Sequence, residues 1–485
     1  MLNLKDQSLL RDAGYVAGEW VAAESGKQFD VLNPASGEKI GAVPDMGAKD
    51  AARAVAAAEG AWGEWRSMPA KKRAKVMRAW FDLIKANAAD LALIMTSEQG
   101  KPTREAMGEI LQGASFVEWF AEEAKRVEGD ILVPQAGDRR EFVLKQPVGV
   151  VAAITPWNFP SSMITRKLSP ALAAGCPVVL KPAEDTPLSA LALAELADRA
   201  GFPKGVVNIL PASHGAEVGQ EFTSNPTVRK LSFTGSTAVG KLLMAQCADT
   251  VKKVSLELGG NAPFIVFDDA DIKAALSGAM TMKFINAGQT CICANRILVQ
   301  DGIYDRFAEE MQKAAQGLNV GNGAEEGVTM GPLINQKALD KVEGLVADAV
   351  DRGATVAQGG QRHALGQTFY EPTVLTEVNP QMQCFSNEIF GPVAGLFRFS
   401  SEEEAIKLAN DTPYGLAAYF YTRDMSRLWR VGEALEYGMV GANEARFTSE
   451  IMPFGGVKES GIGREGSKYG IEEYLEPKYL CMGGI

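Results

Sequence analysis

The sequence predicts an α/β protein with two parallel sheets, and three features lead to this prediction. The chain has 485 residues, which is too long for one ordinary hydrophobic core. From Gly149 onward, short apolar runs alternate with helical stretches of roughly 10–15 residues, a pattern typical of βαβ units. A second alternation of the same kind runs from Glu257 to about Gly441. Each alternation predicts its own open sheet, buried on both faces.

The segment before the first alternation is expected to be mainly helical. Residues 15–45 contain short strand-like runs and turns, and an alanine-rich helical region follows from Ala48 to about Arg126. Between Asp130 and Val148, two apolar runs flank a polar Gly-Asp-Arg-Arg turn, which predicts a β-hairpin. An isolated hairpin is marginally stable in water, so this one should pair with another segment, and a second subunit is one candidate.

The two alternations supply the remaining predicted elements. In the first, strands are expected at 150–155, 177–181, 206–210 and 230–233, with helices at 161–174 and 187–200. In the second, the predicted strands include 264–267, 296–299 and 416–421. A tail strand is expected within 471–480.

Composition and charge exclude several classes of protein. A net charge of -11 argues against a nucleic-acid groove and against binding to an anionic membrane surface. The six cysteines are too sparse for a disulfide scaffold, and neither a signal-peptide core nor an apolar run of about 18 residues occurs, so a cytoplasmic location is expected. With two histidines, and Cys291-x-Cys293 as the one close cysteine pair, neither a Cys-His catalytic pair nor a metal site is expected.

A nucleophilic thiol is predicted at Cys291, which follows a Gly-Gln-Thr turn after the mostly apolar helical run 279–284. Glu257 lies 34 residues earlier, where a strand-like run meets Gly259 and Gly260, and we interpret it as the general base. A single cysteine is more often an inert core residue, so this interpretation depends on the motifs around it.

Two strand ends carry residues suited to a nucleotide. Residues 234–240 follow a strand and open a helix, where backbone N–H groups and the helix dipole favour phosphate. The alternative is an ordinary capped turn, because a G-x-G-x-x-G fingerprint is absent. Lys181 and Glu184 follow another strand, where they can bond a ribose or adenine edge, or form a solvated charge pair.

Three further loops are ambiguous when taken singly. Asn158 lies between aromatic residues and prolines in 154–160, which suits either an oxyanion donor or a simple turn. The runs 388–392 and 453–458 place charged and aromatic residues beside glycines, and each alone predicts only a turn.

The set of motifs, in this order, resembles the NAD(P)-dependent aldehyde dehydrogenase superfamily over nearly the whole chain. Within it the sequence looks most like the succinate-semialdehyde dehydrogenases. The supporting runs are residues 154–160 (Ile-Thr-Pro-Trp-Asn-Phe-Pro), 163–167 (Met-Ile-Thr-Arg-Lys), 181–187 (Lys-Pro-Ala-Glu-Asp-Thr-Pro), 288–293 (Gly-Gln-Thr-Cys-Ile-Cys) and 463–470 (Gly-Arg-Glu-Gly-Ser-Lys-Tyr-Gly). The resemblance implies oxidation of an aldehyde to the carboxylic acid, with hydride transfer to a nicotinamide cofactor.

The resemblance also implies catalytic roles. Cys291 adds to the aldehyde and passes through a thiohemiacetal and a thioester, and a helix start beside it would lower its pKa. Asn158 and the Cys291 backbone N–H hold the oxyanion, while Glu257 activates water for hydrolysis. Lys167 and Glu465 match positions that relay the proton outward.

The matches also imply a cofactor site. Its expected residues are Thr155, Trp157, Lys181, Glu184, Gly235, Ser236, Glu388 and Phe390. Glutamate at 184 would accept from both ribose hydroxyls and repel a 2′-phosphate. NAD is therefore expected in preference to NADP.

The substrate end departs from the resemblance. Relatives specific for succinate semialdehyde hold its carboxylate with two arginines and a hydroxyl; Arg166 matches the first arginine, but Ile285 replaces the second. The hydroxyl position corresponds to Thr448 or Ser449, and Arg446 stands where those relatives are usually apolar. Either Arg446 replaces the lost guanidinium from another wall, or the pocket takes a different aldehyde and Arg446 is a surface residue. Phe159 and Phe454 complete the expected substrate residues.

The expected substrates are succinate, glutarate or 2-oxoglutarate semialdehydes, sulfolactaldehyde, or a neutral aldehyde. The rivals are a CoA-acylating dehydrogenase, a thiol hydrolase that uses no nucleotide, and an inactive binding or structural protein. Glu257 argues against the first, and the intact set of Cys291, Glu257 and Asn158 argues against the last. Cys293 is expected to be a packed core residue, with a reversible disulfide to Cys291 as the alternative.

The expected domains are an NAD-binding domain (1–128 and 149–256), a catalytic domain (257–446), a return segment (447–471) and an oligomerisation element (129–148 and 472–485). The hairpin is expected to meet the tail across a subunit boundary. The resemblance implies a dimer or tetramer.

Overall fold

The computed structural model describes residues 2–485 and places 20 strands and 15 α-helices among them. The strands are β1 (Gly14–Val16), β2 (Glu19–Val21), β3 (Gln28–Leu32), β4 (Lys39–Pro44), β5 (Asp130–Leu132), β6 (Arg139–Pro147), β7 (Val150–Ile154), β8 (Val178–Lys181), β9 (Val207–Ile209), β10 (Val228–Thr234), β11 (Lys253–Glu257), β12 (Ala262–Val266), β13 (Ala294–Gln300), β14 (Thr355–Gln358), β15 (Thr373–Thr376), β16 (Val393–Phe399), β17 (Ala417–Tyr421), β18 (Met439–Ala442), β19 (Gly461–Ile462) and β20 (Leu475–Gly483). The helices are α1 (Ala48–Ser67), α2 (Ala70–Ala86), α3 (Ala88–Gln99), α4 (Thr103–Glu123), α5 (Ser162–Ala174), α6 (Pro187–Ala200), α7 (Gly215–Ser224), α8 (Thr237–Cys247), α9 (Ile272–Phe284), α10 (Tyr304–Gln316), α11 (Gln336–Asp351), α12 (Gln383–Ser386), α13 (Glu402–Asn410), α14 (Met425–Ala434) and α15 (Ser467–Glu472).

The first alternation forms an eight-stranded sheet in the order β19-β11-β10-β7-β8-β9-β1-β2. The five central strands, β11 to β9 in that order, are parallel, as the sequence predicts. Strand β8 is buried along its whole length, because helices cover both faces of the sheet. The short strand β19 returns late in the chain and pairs antiparallel with β11, which brings residues 461–462 back to this sheet.

The second alternation forms a seven-stranded sheet in the order β14-β15-β16-β13-β12-β17-β18. Its strands are parallel except for β14, which pairs antiparallel at one edge. The register Ala262↔Ala294 sets the amino ends of β12 and β13 side by side. The segments that lead into these two strands, 258–261 and 291–293, therefore lie next to each other at the edge facing the first sheet.

A third sheet has the order β20-β6-β5 and contains the predicted hairpin. Strand β20 pairs with β6 of the same chain along nine residues, from Leu475↔Pro147 to Gly483↔Arg139. The expectation that the hairpin meets the tail across a subunit boundary was therefore wrong. Helix α15 ends at Glu472, and the Val148 N–H donates to the Tyr474 carbonyl at 3.0 Å, which directs the tail back along its own hairpin. Because 467–472 is helical, the tail strand also begins later than predicted.

Candidate active site

Cys291 lies in a turn between a short 3-10 helix, Ile285–Gly288, and strand β13. Helix α9 ends at Phe284, and the chain reverses through three residues with positive φ, Asn286, Ala287 and Gly288. A Cβ on Gly260 would lie 2.1 Å from the Cys291 carbonyl oxygen, so only glycine allows the two segments to approach this closely. The sequence indicates this turn and the pair Gly259–Gly260 as parts of the site.

The expected helix start beside Cys291 was wrong, because residues 291–292 form a turn and strand β13 follows. Burial of the thiol raises its pKa to about 12; Arg166 acts in the opposite direction, while Glu388 and Glu257 raise the pKa further. The thiol is therefore protonated at neutral pH, and it needs a base to become a nucleophile.

Asn158 lies beside the segment that precedes Cys291. Its side-chain Nδ2 donates to the Gln289 carbonyl at 3.0 Å, which uses one of the two amide hydrogens. Its backbone carbonyl accepts from the Asn286 side chain at 2.9 Å and from Lys101 Nζ at 2.7 Å. The residue is buried, and these contacts fix the amide close to the predicted nucleophile.

Glu257 is the last residue of β11 and is buried. Burial and the neighbouring Glu465 raise the pKa of its carboxyl well above the usual range. Its Oε2 has no hydrogen-bond partner within 2–485, and Oε1 would lie 3.0 Å from a Cβ on Gly455. In its ionised form such a carboxylate is a stronger base than an ordinary glutamate, and it can take up a proton from a neighbouring thiol or water.

Glu465 connects this carboxyl to two basic residues. Lys167 Nζ donates to Glu465 Oε1 at 2.6 Å, and Arg166 Nε lies 3.2 Å from Oε2. Burial raises the pKa of Glu465, but the two cations lower it more, and the balance lies below the ordinary value. Lys167 Nζ also reaches Ser232 Oγ at 3.3 Å.

The predicted cofactor residues of the first sheet lie along one edge. The registers Ile154↔Lys181 and Phe233↔Ile154 align the carboxyl ends of β7, β8 and β10. Thr155 and Ser236 follow two of these strands, and Ser236 caps helix α8 through a 3.4 Å bond from the Val239 N–H. This is the crevice in which open α/β sheets bind ligands.

Lys181 and Glu184 form an ion pair of 3.0 Å, in which the lysine is buried and the glutamate side chain is 52% exposed. Only the glutamate end of this pair is therefore solvated, and Glu184 stays accessible at the strand ends. Gly235 lies between Thr234 and Ser236, and a Cβ there would meet the Phe233 ring at 2.5 Å.

The second sheet contributes Glu388 and Phe390 to the same crevice. Glu388 Oε1 accepts from the Gly260 N–H at 3.0 Å, and burial raises the pKa of this carboxyl to about 7. The Phe390 ring packs edge-on against Trp157 with centroids 5.5 Å apart. The contact between Phe390 and Trp157 brings expected cofactor residues of both halves of the chain together.

The sulfur side of Cys291 opens into a cavity of about 930 Å³. Of the predicted substrate residues, Phe159, Arg166, Arg446, Thr448 and Phe454 line it, and Ile285 does as well. Ser449 is not among the lining residues, so Thr448 is the hydroxyl that the structure places in the cavity.

The arginines of the cavity differ in their surroundings. Arg166 is buried, its guanidinium lies 3.9 Å from the Phe454 ring centroid, and its Nη2 has no hydrogen-bond partner in the described chain. Arg446 is exposed and donates to Thr281 Oγ1 at 3.2 Å. Arg446 therefore lies at the surface and also lines the cavity.

The sequence reasoning missed Arg104 and Glu105, which also line the cavity. They begin helix α4 after the Gly-Lys-Pro turn, and that polar run was the one signal that could have indicated them. Glu105 accepts from the Asn286 N–H at 2.8 Å, and burial raises the pKa of its carboxyl to about 7.

Cys293 is buried, and its Sγ lies 3.7 Å from the Lys283 carbonyl, within hydrogen-bond range for sulfur. Burial raises the pKa of this thiol. In the structure all six cysteines are free, so Cys293 is a packed residue here and not a disulfide partner of Cys291.

A sequence model of the aldehyde dehydrogenase family matches residues 20–480. The chain belongs to this family. It is 60% identical to the 3-sulfolactaldehyde dehydrogenase of Pseudomonas putida and 60% identical to a glutarate-semialdehyde dehydrogenase of Pseudomonas aeruginosa, each over 100% of both chains. Among solved structures it is similar to the succinate-semialdehyde dehydrogenase from Burkholderia pseudomallei, with a TM-score of 0.98, 60% identity, and coverage of 99% of this chain and 100% of that one.

Membership of the aldehyde dehydrogenase family gives the class of reaction, oxidation of an aldehyde with NAD(P) as the hydride acceptor. Residues 2–485 contain no group of three or more His, Cys, Asp or Glu side chains that could hold a metal ion. No helix in the described range is long and apolar enough to cross a membrane.

Proposed function

We propose that this protein oxidises an aldehyde that carries a remote anionic group, such as a dicarboxylic semialdehyde or a sulfonated aldehyde. The observation that carries the proposal is the position of Arg104, Arg166 and Arg446, all of which line the cavity that opens at Cys291. Arg166 is paired with Glu465, whereas Arg104 and Arg446 form no ion pair with any of residues 2–485, although the chain has a net charge of -11. Unpaired guanidinium groups at a cavity suit a carboxylate or sulfonate.

The similar proteins support this substrate class by their names. They act on 3-sulfolactaldehyde, glutarate semialdehyde and succinate semialdehyde, and all three compounds combine an aldehyde with an acidic group. A cavity of about 930 Å³ is near the upper end of ordinary ligand sites and accommodates chains of different length. Ile285 removes one cation from the wall, so we place the anionic group between Arg166 and Arg446.

We assign the first chemical step to Cys291 and Glu257. Glu257 takes the thiol proton, and the thiolate adds to the aldehyde carbon to form a thiohemiacetal. The oxyanion is held by the free amide hydrogen of Asn158 and by the Cys291 N–H. Loss of one such donor typically costs about 3–4 kcal/mol of transition-state stabilisation.

We assign the second half of the reaction to the same residues. NAD, when held in the crevice, would supply the hydride acceptor, and loss of the hydride from the thiohemiacetal would leave a thioester on Cys291. Glu257 then takes a proton from water as the water attacks the thioester, and the acid leaves with the thiol restored. Glu465 and Lys167 are the route by which the proton leaves Glu257, because they form the buried contact next to its carboxyl.

The fit of the crevice to a dinucleotide rests on its unsatisfied polar groups. Thr155 Oγ1 and Thr234 Oγ1 are buried at the strand ends and have no hydrogen-bond partner in the described part of the chain. Ser236 is the N-cap of helix α8, and the helix dipole at this end favours a pyrophosphate. Lys181 and Glu184 would meet the adenosine ribose, and the negative charge of Glu184 favours NAD over NADP. Trp157, Gly235, Glu388 and Phe390 would line the rest of the site.

We propose that residues 1–128, 149–256 and 447–471 form the NAD-binding domain and 257–446 the catalytic domain. Residues 129–148 and 472–485 would form a surface for a second copy of this chain. These segments expose apolar side chains, including Val133 at 92%, Ile131 at 78% and Tyr479 at 57%. Contiguous exposed apolar groups indicate an association surface, so a dimer or tetramer is expected. Free cysteines are compatible with the reducing cytoplasm.

The test of the proposed activity is NADH formation from NAD with purified protein and a panel of aldehydes. The panel contains succinate, glutarate and 2-oxoglutarate semialdehydes, sulfolactaldehyde, propanal and benzaldehyde. We expect an acidic aldehyde to have a kcat/KM at least about tenfold above the neutral ones, equivalent to about 1.4 kcal/mol. Equal or higher values for propanal or benzaldehyde would contradict the substrate class, and no activity in the Cys291→Ser variant is the expected control.

A further inference from the structure

Lys101 is a fully buried lysine that has no part in the proposed chemical steps. It lies between α3 and α4, and its side chain is 1% exposed. Its Nζ donates to Glu109 Oε2 at 2.5 Å and to the Asn158 carbonyl oxygen at 2.7 Å. The Phe159 ring lies over the ammonium with its centroid 4.1 Å away. Every contact of this ammonium is therefore made with Glu109 or with the loop that carries Asn158.

Glu109, the partner of Lys101, holds the other end of the same loop. Its Oε1 accepts from the Ser161 N–H at 2.9 Å and from the Ser162 N–H at 3.1 Å. These two N–H groups are at the start of α5, where a carboxylate satisfies free donors and complements the helix dipole. The Lys101–Glu109 pair therefore hydrogen-bonds the backbone at two places, the Asn158 carbonyl and the N–H groups of residues 161–162.

A second set of hydrogen bonds connects this loop to the turn before Cys291. Gln99 Nε2 donates to Asn286 Oδ1 at 2.9 Å, and Asn286 Nδ2 donates to the Asn158 carbonyl, also at 2.9 Å. The Asn158 side chain in turn donates to the Gln289 carbonyl at 3.0 Å. The Asn158 carbonyl thus accepts two hydrogen bonds, one charged from Lys101 and one neutral from Asn286.

We propose that Lys101, held by Glu109, is a positioning residue that orients the Asn158 amide for binding of the oxyanion. A buried ammonium is expensive to desolvate, and an ion pair alone does not stabilise a core more than apolar side chains would. The directional bond to the Asn158 carbonyl fixes the peptide from which the amide side chain projects. Because oxyanion donors must stand within a few tenths of an ångström of their working position, this bond controls catalysis without touching substrate.

This inference rests on the proposed role of Asn158, and the experiment is designed to separate the two. The variant Lys101→Met/Glu109→Gln removes both charges together, so that no buried charge is left unpaired. The matched control is Lys252→Met, because Lys252 is also a buried lysine whose Nζ donates to two carbonyls, of Asn225 at 2.6 Å and Val228 at 2.9 Å, away from the cavity.

The double variant is expected to lose roughly 10- to 100-fold in kcat for aldehyde oxidation, in line with the displacement of one catalytic donor. The KM for the aldehyde, the Kd for NAD and the rate of Cys291 alkylation by iodoacetamide should stay within about twofold, since none of them uses the oxyanion donor. The Lys252→Met control should retain the parent kcat. A general loss of structure would change all of these quantities, whereas unchanged kcat in a folded double variant would overturn the proposal.

A double-mutant cycle with Asn158→Ala tests whether Lys101 acts through Asn158. In that background the Lys101→Met/Glu109→Gln changes should cost little further kcat, because the amide they orient is gone. Full additivity would overturn the inference while leaving the role of Asn158 intact. An Asn158→Ala variant with parent kcat would instead refute the proposed mechanism itself. If the double variant does not fold, Lys101→Arg replaces it, since the guanidinium keeps the charge but displaces the donor; an unchanged kcat would again overturn the proposal.

Discussion

Replacement of Arg446 by alanine is the change that most directly tests how the anionic end of the substrate is recognised. Arg446 is exposed, lines the cavity and has one side-chain hydrogen bond, to Thr281 Oγ1 at 3.2 Å. The change therefore removes a positive charge without breaking an ion pair within the described chain. We expect the fold to be unaffected and the loss to appear only with acidic aldehydes.

The magnitude follows from the exposure of the guanidinium. Two unit charges about 4 Å apart interact by about 1 kcal/mol in water and by about 4 kcal/mol near a protein surface. Because Arg446 is open to solvent, the lower end applies, and measured exposed pairs also contribute at most about 1 kcal/mol. This corresponds to roughly a fivefold lower kcat/KM for acidic aldehydes and no change for propanal.

The assay is NADH formation at low and high ionic strength for the parent, Arg446→Ala and Arg306→Ala. Arg306 is the control because it is a surface arginine, paired with Glu310 at 3.0 Å and away from the cavity. The difference between parent and Arg446→Ala should shrink at 1 M salt, where the screening length falls to about 3 Å. An equal loss with neutral aldehydes, or no loss with acidic ones, would refute the role of Arg446.

Four other predictions concern the nucleophile, the base and the cofactor. Glu257→Gln should slow the first turnover of NADH as well as the steady state, measured by stopped flow, because the variant lacks the base for both the thiol and the water; a first turnover at the parent rate would contradict the assignment of the thiol proton to Glu257. Because burial raises the pKa of this carboxyl, the variant should match the parent's free energy of unfolding at about pH 4 and exceed it increasingly as the pH rises. Gly260→Ala should abolish activity and lower the Tm, because its Cβ would lie 2.1 Å from the Cys291 carbonyl; parent activity would show that the turn adapts. Glu184→Ser should raise the NADP-to-NAD ratio of kcat/KM by roughly tenfold, since a like charge near the 2′-phosphate is removed; an unchanged ratio would contradict the ribose assignment. Alkylation of Cys291 in the protein without cofactor should rise about tenfold per pH unit from 7 to 10, because its pKa of about 12 keeps the thiolate scarce; a plateau near pH 8.5 would contradict this.

Many of the secondary-structure elements were predictable because their signals are local. Helix α6 begins and ends where the sequence indicates, at Pro187 and Ala200, since a proline opens it and Gly201 closes it in the left-handed region. The central strands of both sheets were found because parallel strands buried on two faces are short continuous apolar runs. The start of the tail strand was predicted too early, because Ser467–Glu472 forms a short helix and the strand begins only at Leu475. A helix of six residues has too short a pattern to be recognised from the sequence.

The candidate site was predictable only in part, and the limit is the range of its contacts. The sequence indicated Cys291 and Glu257 by the residues next to them, and the order of motifs gave the family. The polar run after the Gly-Lys-Pro turn was a weak local signal for Arg104, but the contacts of Lys101 and the pairing of the hairpin with its own tail come from distant segments and have no local signal. The expected helix start beside Cys291 was also wrong, since the Gly-Gln-Thr run is followed by a turn and then by strand β13.

The sequence by itself determined the two alternations of strand and helix and the family, and it indicated a candidate thiol, because these depend on hydrophobic period and on adjacent residues. Only the tertiary structure decided the protonation of the site and the charge of the cavity. Lys167 and Glu465 are 298 residues apart and yet lie 2.6 Å from each other. Burial and Coulomb interactions act through space, so the pKa of Glu257 and the positions of the arginines around the cavity are properties of the fold.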